Sequence, residues 1–121
     1  MKSWTDFFQA KELSDGILPK SSADMYYTPP LVEGFTEYLV HPIRKLPIDW
    51  EVEQAIPCWS LTALLNVLPS STLDTSDNHY CRVSTMNRSS EWYDNPVDAC
   101  VEMIKRLHNL KLMKNGKVRR H

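Results

Sequence analysis

At 121 residues, with 42% hydrophobic and 24% charged side chains and a formal net charge of −1, the chain has the composition of one ordinary globular domain. That balance excludes a strong global field of the kind that draws nucleic acid or an acidic membrane surface, and no apolar run reaches the length of a membrane span. The charge is uneven, because residues 1–56 carry 5 basic and 9 acidic side chains, a net of −4, and residues 57–121 carry 9 and 6, a net of +3.

The opening MKSWTDFFQAKE lacks the apolar stretch of a signal peptide. The three cysteines, Cys58, Cys81 and Cys100, are odd in number and widely spaced, which is not a disulfide framework. A reduced, cytoplasmic protein is the expectation. Without secretion, the acceptor pattern Asn87-Arg88-Ser89 is empty.

Residues 5–15 predict a first helix. Phe7, Ala10 and Leu13 give it a face, which Trp4 and Phe8 spread. Gly16 is a natural stop with Ile17 folding back after it, and Pro19 prevents continuation. Met25–Thr28 reads as a strand closed by Pro29-Pro30, and Phe35–Val40 as a second, entered through Glu33-Gly34 and ended by His41-Pro42. Pro42, Pro47 and Pro57 keep regular structure short over 41–57, and Val52–Ile56 is open between a helical turn and an edge strand. Ile56–Pro69 holds a second helix, with Ser60 as N-cap, Trp59 positioned to staple on Leu64, and a stripe of Leu61, Leu64, Leu65 and Leu68. About nine residues of helix do not stand alone in water, so it must dock.

Ser70–Asn78 reads as a polar loop, Tyr80–Met86 as a strand, Asn87–Ser90 as a turn and Glu91–Tyr93 as a short returning strand. The main helix follows in Asn95–Leu110. Asn95 is its N-cap, Pro96 occupies N1, and Asp98 complements the positive end of the dipole. Val97, Cys100, Val101, Ile104 and Leu107 form one stripe, widened by Ala99, Met103 and Leu110. This stripe is the expected dock for the second helix. Asn109 is placed to take the left-handed position after the helix, with Asn115-Gly116 a second stop.

Three stretches carry a family likeness: Ser22–Tyr27 (SADMYY), Ile56–Leu65 (IPCWSLTALL) and Asn95–Ala99 (NPVDA) with the helix it opens. In that order and over most of the chain, they resemble a group of small uncharacterised proteins encoded by prophages and other mobile elements of gut anaerobic bacteria. The resemblance implies a small cytoplasmic protein of phage or mobile-element origin and carries over no catalytic residue. The hairpin around Asn87–Ser90 is reduced relative to that pattern.

Chemistry-bearing groups are sparse. Cys58 precedes a helix N-terminus and His41, His79, His108 and His121 could supply a base, but no protease signature surrounds the cysteine, and a packed thiol is the simpler reading. His79-x-Cys81 is the one close metal-ligand pair, and Cys100 lies on the apolar stripe. Glu51-x-Glu53 and Asp74-x-x-Asp77 are generic, and three glycines leave no phosphate-cradling loop.

The expected fold is α+β, with two or three helices packed on a small, mainly antiparallel sheet. One domain spans 1–116, and 117–121 form a basic, mobile tail. The expected function is a non-enzymatic interaction module that binds a host or phage protein or itself. Its surface would be drawn from Tyr26, Tyr27, Trp50, Trp92 and Tyr93, because aromatics exceed what two short helices need. The alternative is nucleic-acid binding through Lys111, Lys114, Lys117, Arg119 and Arg120. No catalytic residue, cofactor, metal or membrane partner is expected.

Overall fold

A computed structural model describes residues 2–29, 38–43, 54–68, 70–114 and 117–118, with Lys114, Lys117 and Val118 described by their backbone only. The fold is α+β. Its elements run α1 (Phe7–Ser14), β1 (Met25–Thr28), β2 (Leu39–Pro42), β3 (Ile56–Cys58), α2 (Leu61–Val67), β4 (Thr72–Thr75), β5 (Cys81–Thr85), β6 (Arg88–Ser89), α3 (Pro96–Asn109), β7 (Met113–Lys114) and β8 (Lys117–Val118), with one 3-10 turn at Lys20–Ser22. Two antiparallel sheets of three strands, β2-β1-β3 and β4-β5-β6, stand where one small sheet was expected, and β7-β8 form a separate hairpin.

The core is built on α3. Asn95 caps it by accepting from the Asp98 N–H at 2.8 Å, and Pro96 enters at N1. Val97, Cys100, Val101, Ile104 and Leu107 are all buried, as are Ala99 and Met103. Each of the larger apolar chains contributes roughly 1.5–3 kcal/mol as an upper estimate. The helix end differs from expectation. Asn109 stays helical, and Lys111 takes the left-handed position with φ +59°. Leu112 N–H then bonds the Leu107 carbonyl at 2.9 Å and Lys111 N–H the His108 carbonyl at 3.0 Å, the two bonds of a Schellman motif. Leu112 supplies the apolar contact with the core, and Leu110, assigned to the stripe by periodicity, points out at 49% exposure.

α2 docks on α3, as its length requires, and places Ala63, Leu64 and the following Leu68 in the same core as Trp59. Ser60 caps it through the Ala63 N–H. The Ser60 hydroxyl also meets the Asp24 carboxylate in a very short hydrogen bond, and the Ser60 N–H donates to the other Asp24 oxygen at 2.9 Å, so the residues before β1 hold the start of α2.

In the first sheet β1 pairs with β2 (Tyr26↔His41) and with β3 (Tyr26↔Pro57). The second strand therefore includes His41 and Pro42, the residues read as its end; its expected start at 35–37 and the Glu33-Gly34 turn lie outside the described residues. Of the Val52–Ile56 stretch, Ile56 opens a strand, and 51–53 lie outside the description.

The second sheet corrects two readings. Ser70–Asn78 is not all loop, because Thr72–Thr75 pairs fully with β5 (Asp74↔Arg82). The connection is a tight loop in which Ser76 N–H bonds the Tyr80 carbonyl at 2.9 Å and His79 takes φ +65°, the left-handed residue of a bulged three-residue hairpin. The next turn falls on Met86-Asn87, both at positive φ (51° and 61°) as a primed two-residue turn demands, so the returning strand is Arg88–Ser89 rather than Glu91–Tyr93. Tyr93 makes a single bridge to Cys81. α3 covers the inner face of this sheet, where Cys81, Val83 and Thr85 point.

The N-terminal residues tie the parts together. Thr5 is fully buried; its N–H donates to the Trp59 carbonyl at 2.9 Å, and Leu61 N–H donates to the Ser3 carbonyl at 3.1 Å. Lys2 Nζ lies 2.8 Å from Asp98 Oδ1, which also accepts from Gln9 Nε2 at 2.7 Å, while Asp98 Oδ2 accepts from Asn95 Nδ2 at 2.8 Å. Burial alone would raise the Asp98 carboxyl, but the bonds from Lys2, Gln9 and Asn95 outweigh it and hold the group below the usual range. β7 and β8 pair as Met113↔Val118 and Lys114↔Lys117, so backbone pairing crosses the division expected after Gly116; residues 119–121 lie outside the description.

Candidate functional site

The thiols are withdrawn from solvent. Cys58, Cys81 and Cys100 are free and buried. Cys58 Sγ lies 3.4 Å from Thr5 Oγ1 and donates weakly to the Thr5 carbonyl at 3.5 Å; burial pushes its thiol up to about 11, and that of Cys100 up to about 12. A thiol held protonated at neutral pH is a poor nucleophile. Among the described residues, no group of three His, Cys, Asp or Glu side chains is arranged to hold a metal ion. An open cleft of about 380 Å³ lies between the end of α1 and the end of α3, lined by Gly16, Leu18, Lys20 and His108 among others. No helix among the described residues is long and apolar enough to cross a membrane.

What the surface does offer is aromatic. α1 starts with a reciprocal capping box: Asp6 accepts from the Gln9 N–H at 2.8 Å, and Gln9 Oε1 accepts from the Asp6 N–H at 3.1 Å. The inward face is set by Ala10 and Leu13, both fully buried. Phe7 turns inward, with its ring 5.8 Å from Tyr27 at 83° and 4.3 Å from Tyr38 at 31°. Phe8, about 100° further round, points away and is 82% exposed, meeting Phe7 edge-on at 6.0 Å. Lys11 Nζ lies 5.5 Å over the Phe7 ring. Tyr38 and the following Leu39 are also exposed. The rings run from buried Tyr27 through Phe7 to Phe8 and Tyr38, forming a ledge on α1 and the entry to β2.

The aromatics singled out in the sequence do not form one surface. Tyr26 is half-buried and stacks on His41 at 5.2 Å, its cross-strand partner. Tyr27 belongs to the core: its hydroxyl donates to the Thr5 carbonyl at 2.7 Å, and burial raises its pKa to about 12. Trp92 lies on the second sheet under the Arg82 guanidinium, 4.7 Å from it, with Arg82 paired to Asp74 at 3.3 Å. Tyr93 packs against the main core, and Trp50 lies outside the described residues. Phe7 and Phe8 were absent from that set, although two adjacent phenylalanines in a helix cannot both face inward.

Of the basic residues, Lys111 is exposed at the end of α3, Lys114 and Lys117 are register partners in the hairpin, and Arg119 and Arg120 lie outside the description. Arg106 is committed to the fold, donating to the Ser89 carbonyl at 2.8 Å and pairing with Glu102 at 3.4 Å. No family model, curated protein or solved structure matches the chain.

Proposed function

We propose that the protein is a non-enzymatic interaction module, a small accessory protein of the phage or mobile-element type that its sequence resembles, and that it binds a protein partner through the ledge of Phe7, Phe8 and Tyr38. The observation that carries this reading is Phe8. Its ring is 82% exposed and meets the inward-turned Phe7 edge-on. A partner pocket that covered it would gain roughly 1.5–3 kcal/mol from that side chain, and aromatic residues, phenylalanine among them, are enriched at interfaces relative to the rest of the surface. The buried thiols support the non-enzymatic half of the reading.

The test places a photoreactive phenylalanine analogue at position 8 in cells that encode the protein. One dominant adduct is expected, competed away by the native chain and not by Phe8→Ser. Phe8→Ser itself should change folding stability by less than about 0.5 kcal/mol, since the ring buries little. The same adducts from a probe at exposed Ser21, or no adduct at position 8, would defeat the proposal.

A further inference from the structure

We propose that the open edge of β4 pairs with the same edge of a second copy, joining two three-stranded sheets into one antiparallel sheet across a twofold axis. The inference is independent of the aromatic ledge.

Sheet edges invite pairing unless something blunts them. The first sheet ends in β2 and β3, which carry Pro42 and Pro57, residues with no N–H to donate. The β6 edge of the second sheet is occupied where Arg106 bonds the Ser89 carbonyl. β4, Thr-Leu-Asp-Thr, carries neither proline nor lysine.

The direction of its backbone groups follows from the hydrogen-bond alternation of an antiparallel ladder. Ser76 N–H bonds the Tyr80 carbonyl, so Asp74↔Arg82 and Thr72↔Ser84 are the hydrogen-bonded pairs of β4 with β5. The far side of β5 agrees, because Cys81 exchanges both bonds with Tyr93 (2.6 and 2.8 Å) and Val83 accepts from the Ser90 N–H. The N–H and C=O of Ser71, Leu73 and Thr75 therefore point to the open edge. Among the described residues no backbone partner meets Leu73 or Thr75 from that side.

Symmetry then selects the register. A twofold axis perpendicular to the sheet sets opposite one another only residues that face the same side. Centring on Asp74 would oppose two carboxylates, which is unfavourable. Centring on Leu73 sets Leu73 against Leu73 of the second copy, covering side chains that are 38% exposed. It also sets Thr72 against the copy's Asp74, a hydroxyl donor beside a carboxylate. Ser71 meets the copy's Thr75, and the edge gains about six backbone hydrogen bonds. So short a strand buries less than the ~1,200 Å² of a standard interface, so the association is weak.

Disulfide trapping reads the register. The Leu73 Cα atoms would lie about 5.5 Å apart, within disulfide reach, and the Asp74 Cα atoms about 8 Å apart, beyond it. The native thiols are buried and do not compete. Under mild oxidation Leu73→Cys should form a covalent dimer and Asp74→Cys should not. In sedimentation equilibrium the native chain should gain mass as its concentration is raised, as weak association through a small interface requires. Leu73→Lys should abolish that gain while keeping the native circular dichroism spectrum. Equal trapping at both positions, no trapping at Leu73→Cys, or a concentration-independent monomer mass would overturn the proposal, the last leaving the edge to an extended peptide of another protein.

Discussion

Ile104 tests the account of the core most directly. It is fully buried in the middle of the α3 stripe, inside the cluster that joins α2 and the second sheet. Ile104→Ala removes three carbons from that interior, a transfer loss of about 2.4 kcal/mol at ~0.8 kcal/mol per group. The cavity left behind adds ~24 cal/mol per Å³ that fails to collapse, so tens of Å³ bring the total to about 3–4 kcal/mol. Urea unfolding followed by tryptophan fluorescence measures this, because Trp59 is itself buried in the same cluster. Leu110→Ala is the control. Periodicity puts Leu110 on the same stripe, yet it is half-exposed, and its truncation should cost under about 0.5 kcal/mol. A loss below about 0.5 kcal/mol at Ile104, or equal losses at the two positions, would refute the packing assigned to α3.

Two further outcomes follow from titratable groups. Asp98 has a folded pKa below its ordinary value, so its contribution is present above an unfolded pKa of ~3.9 and is lost as pH falls through the folded value; the native urea midpoint should drop more steeply between about pH 5 and 2 than that of Lys2→Met, and parallel profiles would mean that the Lys2–Asp98 contact is not linked to folding. With Cys58 and Cys100 fully buried and raised to about 11 and 12, Ellman's reagent at pH 8 should find no thiol in the native protein and all three in denaturant, and rapid labelling of the native chain would contradict the buried assignment.

What the sequence disclosed was local. The Asn95-Pro96 start of α3 and the Ser60 cap of α2 are each written in a few adjacent residues, and both occur where those residues point. Gly16 likewise takes the positive φ, +87°, expected after α1. What it concealed was decided at a distance. Thr72–Thr75 has no apolar alternation and becomes a strand only because β5 lies beside it. Met86 is no turn former, yet it takes a positive φ because the ladder on both sides leaves only two residues for the reversal. Lys111 rather than Asn109 takes the left-handed position, because Leu107 is the last residue that α3 buries in regular phase and Leu112 must return to the same core. The expected stop at Asn115-Gly116 lies outside the described residues, while the backbone pairs Lys114 with Lys117 on either side of it.

The candidate surfaces divide along the same line. That one of Phe7 and Phe8 must face outward follows from helical periodicity alone. Which one does follows from the apolar spacing of Phe7 with Ala10 and Leu13, both buried, a face already visible in the sequence. The edge of β4 offers no such clue, because being an edge is a property of sheet order and not of any residue. Only with β5 known to have β6 and Tyr93 on its other side does Thr-Leu-Asp-Thr become the outermost strand among the described residues. Its lack of proline or lysine, unremarkable in a loop, then becomes the reason a second chain can pair with it.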